Sequence, residues 1–295
     1  MHRFLTTTLL AATSLAAFSA AANATTLQIS VTHNGTTPLF ITPLYTAFHN
    51  GDFDPVTIGE TASVGLEDLA ETGRFGPASD PDTIAAQRAR EGGGGVPAPV
   101  FGNAGPGPVF SPGIGPGQVG GDAGSTIVEI ADPLDDRFFT FLAMILPSND
   151  TFIANLDPIE IFGLDGSFLG PKTIVVGGDN IFDAGTETND LSVDGGAAFV
   201  QGADISAGGV EGGTVQQALG LDFGGGIDLA PPGSDPSLAP LATLSGFFDF
   251  TASDFNLLTI EITDVTPAPV PVPASGLLLL AGIGGLVTAR RRSRV

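Results

Sequence analysis

Cysteine is absent from this sequence, and with it go disulfides, thiolate nucleophiles and sulfur ligands for zinc. Tryptophan is absent too, tyrosine occurs once, and there are three histidines in 295 residues. That leaves little material for a His-based catalytic constellation or an imidazole metal cluster. Basic residues are the next scarcity, with 10 Lys and Arg against 32 Asp and Glu and a formal charge of −22. Such a surface repels nucleic acid and anionic lipid head groups, so neither is an expected partner.

The two ends account for half of the positive charge. "MHRFLTTTLLAATSLAAFSAAANA" has one early basic residue, Arg3, then an apolar run and small residues closing on Ala22-Asn23-Ala24. This is the pattern of a secretory signal peptide over 1–24, cut after Ala24. The other end reads "TPAPVPVPASGLLLLAGIGGLVTARRRSRV" over 266–295. It is a Pro-rich spacer, an apolar stretch over 274–289 and a cluster of arginines at 290, 291, 292 and 294. About 16 apolar residues is just short of the roughly 20 of a membrane-spanning helix, and the arginines should stay on the cytoplasmic side. Removing Arg3 and the four tail arginines leaves five basic residues, Arg74, Arg88, Arg90, Arg137 and Lys172. Against 32 acidic ones this gives the region between the ends a charge of −27.

"VPVPA", formed by Val270, Pro271, Val272, Pro273 and Ala274, followed by a short apolar helix and arginines, resembles the VPxPA variant of the PEP-CTERM class of bacterial sorting signals. The resemblance implies a Gram-negative cell-surface or extracellular protein. It would be carried across the inner membrane, tethered there by its C-terminal helix, and handled by an exosortase-like sorting protease.

Between the ends, strand patterns dominate. Alternating or β-branched runs occur at 26–33, 38–49, 125–131, 137–146, 152–162, 172–178, 241–250 and 255–265. About eight strands separated by Gly, Pro and Asp turns predict a mainly β fold, an antiparallel β-sandwich. Two short helices are expected. Ser63 caps one through "VGLEDLAET" that stops at Gly73, and Asp80-Pro81 opens another through "DTIAAQRARE" with Pro81 in its first turn. The Gly/Pro-rich stretches 92–121 and 195–235 read as long surface loops without packed structure of their own.

Charge is concentrated in "DNIFDAGTETND", residues 179–190, with four acidic side chains and no basic one. Two carboxylates about 4 Å apart repel by roughly 4 kcal/mol at a surface-like dielectric, so the loop is either solvated or neutralised. If 137–146 and 172–178 run in one direction, this loop and Asp150 in "LPSNDTF" emerge at the same end. Hard oxygen ligands from two such loops suit calcium. "DPLDD" (132–136) lies at the other end of a ten-residue strand, roughly 30 Å away, and cannot share the ion. "DLSVDG" from Asp190 resembles the start of a helix-loop-helix calcium loop. It carries Gln201 where a bidentate Glu is needed and lacks helical flanks. Gly-Gly pairs at 177, 195, 208 and 212 are too irregular for nonapeptide calcium repeats.

"FLAMILPSNDTFIANLD" and, further on, "FDAGTETND" resemble the spondin N-terminal domain, and "AFHNGDFDPVTIGETASVGLEDLAETG" (47–73) resembles its bacterial branch. The likeness covers most of 26–265 and sets the domain at 25–265. It implies an antiparallel sandwich related to calcium-dependent membrane-binding domains, with one calcium held by Asp150, Asp183 and Glu187. The chain departs from animal members in having Thr151-Phe152 where a tryptophan is usual, no cysteines, Glu187 in place of an aspartate, and the 92–121 insertion.

Catalysis is not expected. His33 and His49 sit in His-Asn-Gly turns, no Gly-x-Ser-x-Gly elbow is present, and Asp52 with Asp54 is a pair of a kind common on solvated surfaces. The residues and the resemblance together point to a non-catalytic, calcium-binding surface or matrix protein, acting in adhesion or matrix association through an unidentified glycan or protein ligand. The alternatives are a purely structural matrix protein and a hydrolase of exopolysaccharide.

Overall fold

The computed structural model describes residues 24–34, 37–92, 96–98, 123–191, 209, 211–226 and 243–268. The signal segment, most of the 92–121 stretch, the "DLSVDG" run beyond Leu191 and the VPVPA motif with its apolar tail lie outside the described residues. Contacts divide the chain into Met1–Asp264 and Val265–Val295. All strands and helices of the described residues belong to the first of these units. Among the described residues no helix is long and apolar enough to cross a membrane.

The fold is mainly β, with antiparallel sheets and two short helices. One sheet has the order β5-β1-β14-β9, made of Ala123–Ile130, Thr25–His33, Asn256–Asp264 and Lys172–Gly177. Its alternation is that of a sheet with one face covered. Leu27, Ile29 and Val31 of β1 and Ile260 and Ile262 of β14 are fully buried, while the residues between them reach solvent. The second sheet centres on β6 (Phe138–Leu146), an almost wholly buried apolar run. Around it lie β3 (Tyr45–His49), β7 (Thr151–Ala154), β10 (Ile181–Asp183) and β11 (Gln216–Gln217), with β2 (Phe40–Ile41), β4 (Val96–Pro97) and β8 (Ile159–Glu160). Side chains of both sheets enter one hydrophobic core, where Ile29, Ile260, Phe139 and Phe141 belong to a single cluster. A two-stranded ribbon, β12 (Gly220–Asp222) with β13 (Phe247–Asp249), completes the β structure.

Helix α1 (Val64–Thr72) has the expected limits. The Ser63 hydroxyl accepts the Leu66 N–H, and Gly73 closes the helix in the left-handed region at φ 68°. Its Leu66, Leu69 and Ala70 pack into a second cluster with Phe152 of β7 and Phe182 of β10. That contact lays the helix over the strands that carry the acidic loop.

Four details differ from the sequence expectation. Helix α2 runs Ile84–Glu91 with Thr83 as its cap, so Pro81 stands in the turn before the helix rather than in its first turn. The 152–162 run breaks into β7 and β8, because Asn155 turns its side chain into the backbone of Phe141 and Asp157. The 92–121 stretch is not loop from its start, since β4 pairs with β3 and Ala98 N–H donates to Thr46 O at 2.9 Å. Finally, 179–190 is not one loop. A 3₁₀ turn, Gly178–Asn180, leads into β10, and the loop proper begins after Asp183.

Candidate metal centre

Strand pairing brings the acidic residues together. β10 runs antiparallel to β7 with Asp183 opposite Thr151, so the last residue of one strand lies beside the first of the other. Asp150 therefore meets the 183–187 loop through this pairing, rather than through parallel running of β6 and β9. Asp150, Asp183 and Glu187 are all buried.

The loop wraps the Asp150 carboxylate in donors. Oδ2 accepts the backbone N–H of Thr186 at 3.0 Å and of Glu187 at 3.1 Å, with the Thr186 hydroxyl at 3.4 Å. Asp183 Oδ1 accepts the Gly185 N–H at 2.7 Å, and its Oδ2 accepts the Asn189 amide. Gly185 makes the wrap possible. It sits at φ 67°, and a Cβ there would stand 2.6 Å from Thr214 O. Residues 211–215 lie against the loop, with Glu211 N–H donating to Thr186 O at 2.9 Å and Gly213 N–H to Gly185 O at 2.8 Å.

These donors answer part of the charge and leave part unanswered. Asp150 Oδ1 is buried and has no partner among the described residues, and neither do its chain neighbours Asn149 Oδ1 and Thr151 Oγ1. Burial, then the Asp183 charge, push the Asp150 carboxyl up to about 7 against the pull of the Glu187 and Thr186 amides. Burial also pushes Glu187 up to about 7, and the charges of Glu71, Asp150 and Glu67 add to it. No basic side chain is among these influences. The four arginines between the ends are engaged elsewhere, Arg74 with Asp68 and Asp80, Arg137 with Glu160, Arg88 with Tyr45 and Arg90 with Pro81 O.

Glu67 and Glu71 escaped the sequence reading. They lie one helical turn apart on α1, a helix that holds no basic residue, which is a visible signal of an acidic helix face. What the spacing could not show is that this face meets Glu187. Burial raises the Glu71 carboxyl, while a hydrogen bond from Thr186 lowers it.

The side-chain groups free to bind an ion at this end are oxygens, and three of them, Asn149 Oδ1, Asp150 Oδ1 and Thr151 Oγ1, are buried without a partner among the described residues, the chemistry of a hard cation such as calcium. Among the described residues no three acidic or imidazole side chains stand ready in ligand geometry. The Asp150 and Asp183 carboxylates are turned toward amides, which oppose their charge with N–H groups.

The other acidic candidates separate from this end. Residues 132–136 form a turn before β6, with the Asp136 N–H donating to Asp132 O at 2.9 Å, nine strand residues from the 147–150 turn. Asp52 is tied to Asn50 in its own turn. His49 is fully buried, its Nδ1 accepts the Gly51 N–H and its Nε2 meets Thr140 Oγ1, both interior contacts. His33 Nε2 meets Leu39 O. Asp190 lies at the edge of the described residues, and Gln201 outside them.

No family model matches the chain, and no curated protein matches it.

Proposed function

We propose that this chain is an exported, non-catalytic calcium-binding protein of spondin type, with the two sheets forming a sandwich and one ion held at the 147–150 and 183–187 loops. Asp150, Asp183 and Glu187 would supply the carboxylates. The observation that carries the reading is the row of buried oxygens without a partner among the described residues, Asn149 Oδ1, Asp150 Oδ1 and Thr151 Oγ1, beside acids that no described basic residue balances. A divalent cation supplies the missing positive charge, lowers the mutual repulsion of the carboxylates and locks the two loops to each other. Glu67, Glu71 and Glu211 add negative field that attracts it.

The biological role follows from the sequence ends. The leader exports the domain, the VPVPA signal hands it to an exosortase-like protease at the inner membrane, and the domain acts at the cell surface or in the matrix. Adhesion or matrix association through a glycan or protein is the role we assign.

Isothermal titration of the exported chain with calcium chloride tests the ion. The expected result is one calcium per chain with Kd in the range of about 10⁻⁴–10⁻³ M, as for other extracellular modules. Absence of binding at about 10 mM calcium would leave the loop as an amide-held turn and remove the reading.

A further inference from the structure

A second site lies at the opposite end of β10 from Asp183. A solvent-open cavity of about 330 Å³ is bordered by the end of β9, the 3₁₀ turn Gly178–Asn180, β11 and the turn 250–255. Its walls are brought together by two glycines. A Cβ on Gly178 would stand 2.0 Å from Phe250 O, and one on Gly177 would stand 3.1 Å from Phe255 O. Any larger residue at 178 would push the 250–255 turn away and open the cavity.

The lining has a mixed character. Asp179, Gln217 and Ser253 present polar groups that are little used by the fold. Gln217 Nε2 makes only long contacts, 3.4 Å each, to Gly178 O and Asp179 Oδ1. Its Oε1 and the Ser253 hydroxyl have no intramolecular partner among the described residues. Asn180, by contrast, is committed to Ala154 O and the Gly177 N–H. On the apolar side stand the half-buried Phe255, backed by Phe250 at 5.4 Å between ring centroids, and the exposed Val175. Among the described residues no Lys or Arg lines the cavity, and Asp179 is its one carboxylate.

We propose that this cavity binds a neutral saccharide, one or two hexose units in extent. A carboxylate, an amide and a hydroxyl side by side can each engage a sugar hydroxyl, which both donates and accepts. The flat C–H face of the ring has Phe255 and Val175 to rest on, and pockets of this size hold small ligands. The lack of a cation combined with Asp179 disfavours uronic acids, sulfated sugars and phosphates. The cavity shares no lining residue with the 147–150 and 183–187 loops, so Asp150→Asn tests one site and Gln217→Ala the other.

Saturation-transfer NMR on the exported chain, with cellobiose, maltose and lactose at about 10 mM and galacturonic acid dimer as the charged comparator, tests it. At least one neutral disaccharide should show transfer. Asp179→Ala and Gln217→Ala, both at surface positions, should each weaken it about fivefold or more, the loss of about one hydrogen bond. Ser253→Trp should block the cavity and abolish transfer with an unchanged melting temperature. Co-sedimentation with the corresponding polymer separates recognition of internal chain units, where the polymer competes with the disaccharide, from recognition of free sugar, where it does not; either outcome supports a saccharide site. No transfer from any neutral sugar, preference for the acidic dimer, or binding indifferent to all three variants would overturn the proposal.

Discussion

The backbone N–H of Glu187 donates to Asp150 Oδ2 at 3.1 Å, so the acidic loop grips the acidic turn through its amides while its carboxylates repel. The 183–187 loop is held by backbone geometry and strained by charge at the same time. Anything that relieves the charge should therefore stabilise the fold.

Protonation is one such relief. Asp150 and Glu187 have carboxyls pushed up to about 7 from ordinary values of 3.8 and 4.5. The folded state thus binds more protons than the unfolded one between those limits. The contribution is fully present below about pH 4, is lost as pH rises through 7, and is flat above pH 8. Asp136, raised to about 6, acts in the same direction, whereas His49, lowered to about 4, acts oppositely as its unfolded form titrates. Comparing urea unfolding of the parent and Asp150→Asn from pH 5 to 8 without calcium isolates the loop. The parent should lose stability relative to the variant by of order 1 kcal/mol or more. A constant difference across that range would mean that Asp150 is not strained.

A cation built into the protein should act in the same way. Glu71 lies on α1 within reach of the Glu187 charge. Glu71→Lys should raise the melting point in the absence of calcium, by about 0.5–1 kcal/mol of stability, and weaken calcium binding. Equal melting of parent and variant would place Glu71 outside the electrostatics of the loop.

Gly185 and Gly212 form a controlled pair. Both have positive φ, 67° and 65°, but a Cβ at 185 meets Thr214 O at 2.6 Å whereas nothing lies within 4 Å of one at 212. Ala at 212 should cost only the backbone strain, about 1–2 kcal/mol. Ala at 185 should cost more and also displace the loop that wraps Asp150. Chemical denaturation should rank them in that order.

The helix limits and long strands were legible because they carry local signals. Ser63 and Gly73 bracket α1, and β1 alternates over nine residues. β4, β10, β11 and β12 are two or three residues long, too short for a period to register. That gap mattered most at β10, whose pairing with β7 is what joins Asp183 to Asp150. The candidate ligands were visible as residue types in two acidic segments. The approach of Glu67 and Glu71 was not, because it depends on Leu66 and Ala70 docking α1 on Phe152 and Phe182. Pro81 misled for a related reason. Thr83, two residues on, offers the hydroxyl that caps α2 by accepting the Ala86 N–H at 3.3 Å.

The proposed sorting signal carries a chemical prediction. Mass spectrometry of cell-surface material should find mature chains beginning at Thr25 and ending near the Pro-rich spacer 266–273. Released protein that uniformly retains the arginines of 290–294 would argue against cleavage.

The most direct measurement is thermal unfolding with and without calcium for the parent, Asp183→Asn and Asp135→Asn. At about tenfold excess over Kd, calcium should add about 1.4 kcal/mol to the parent through binding to the folded state. Asp183→Asn, on β10 beside the 147–150 turn, should lose most of that gain. Asp135→Asn, in the turn before β6, should keep it. Melting curves for all three proteins that move equally with calcium, or not at all, would contradict an ion shared by Asp150, Asp183 and Glu187.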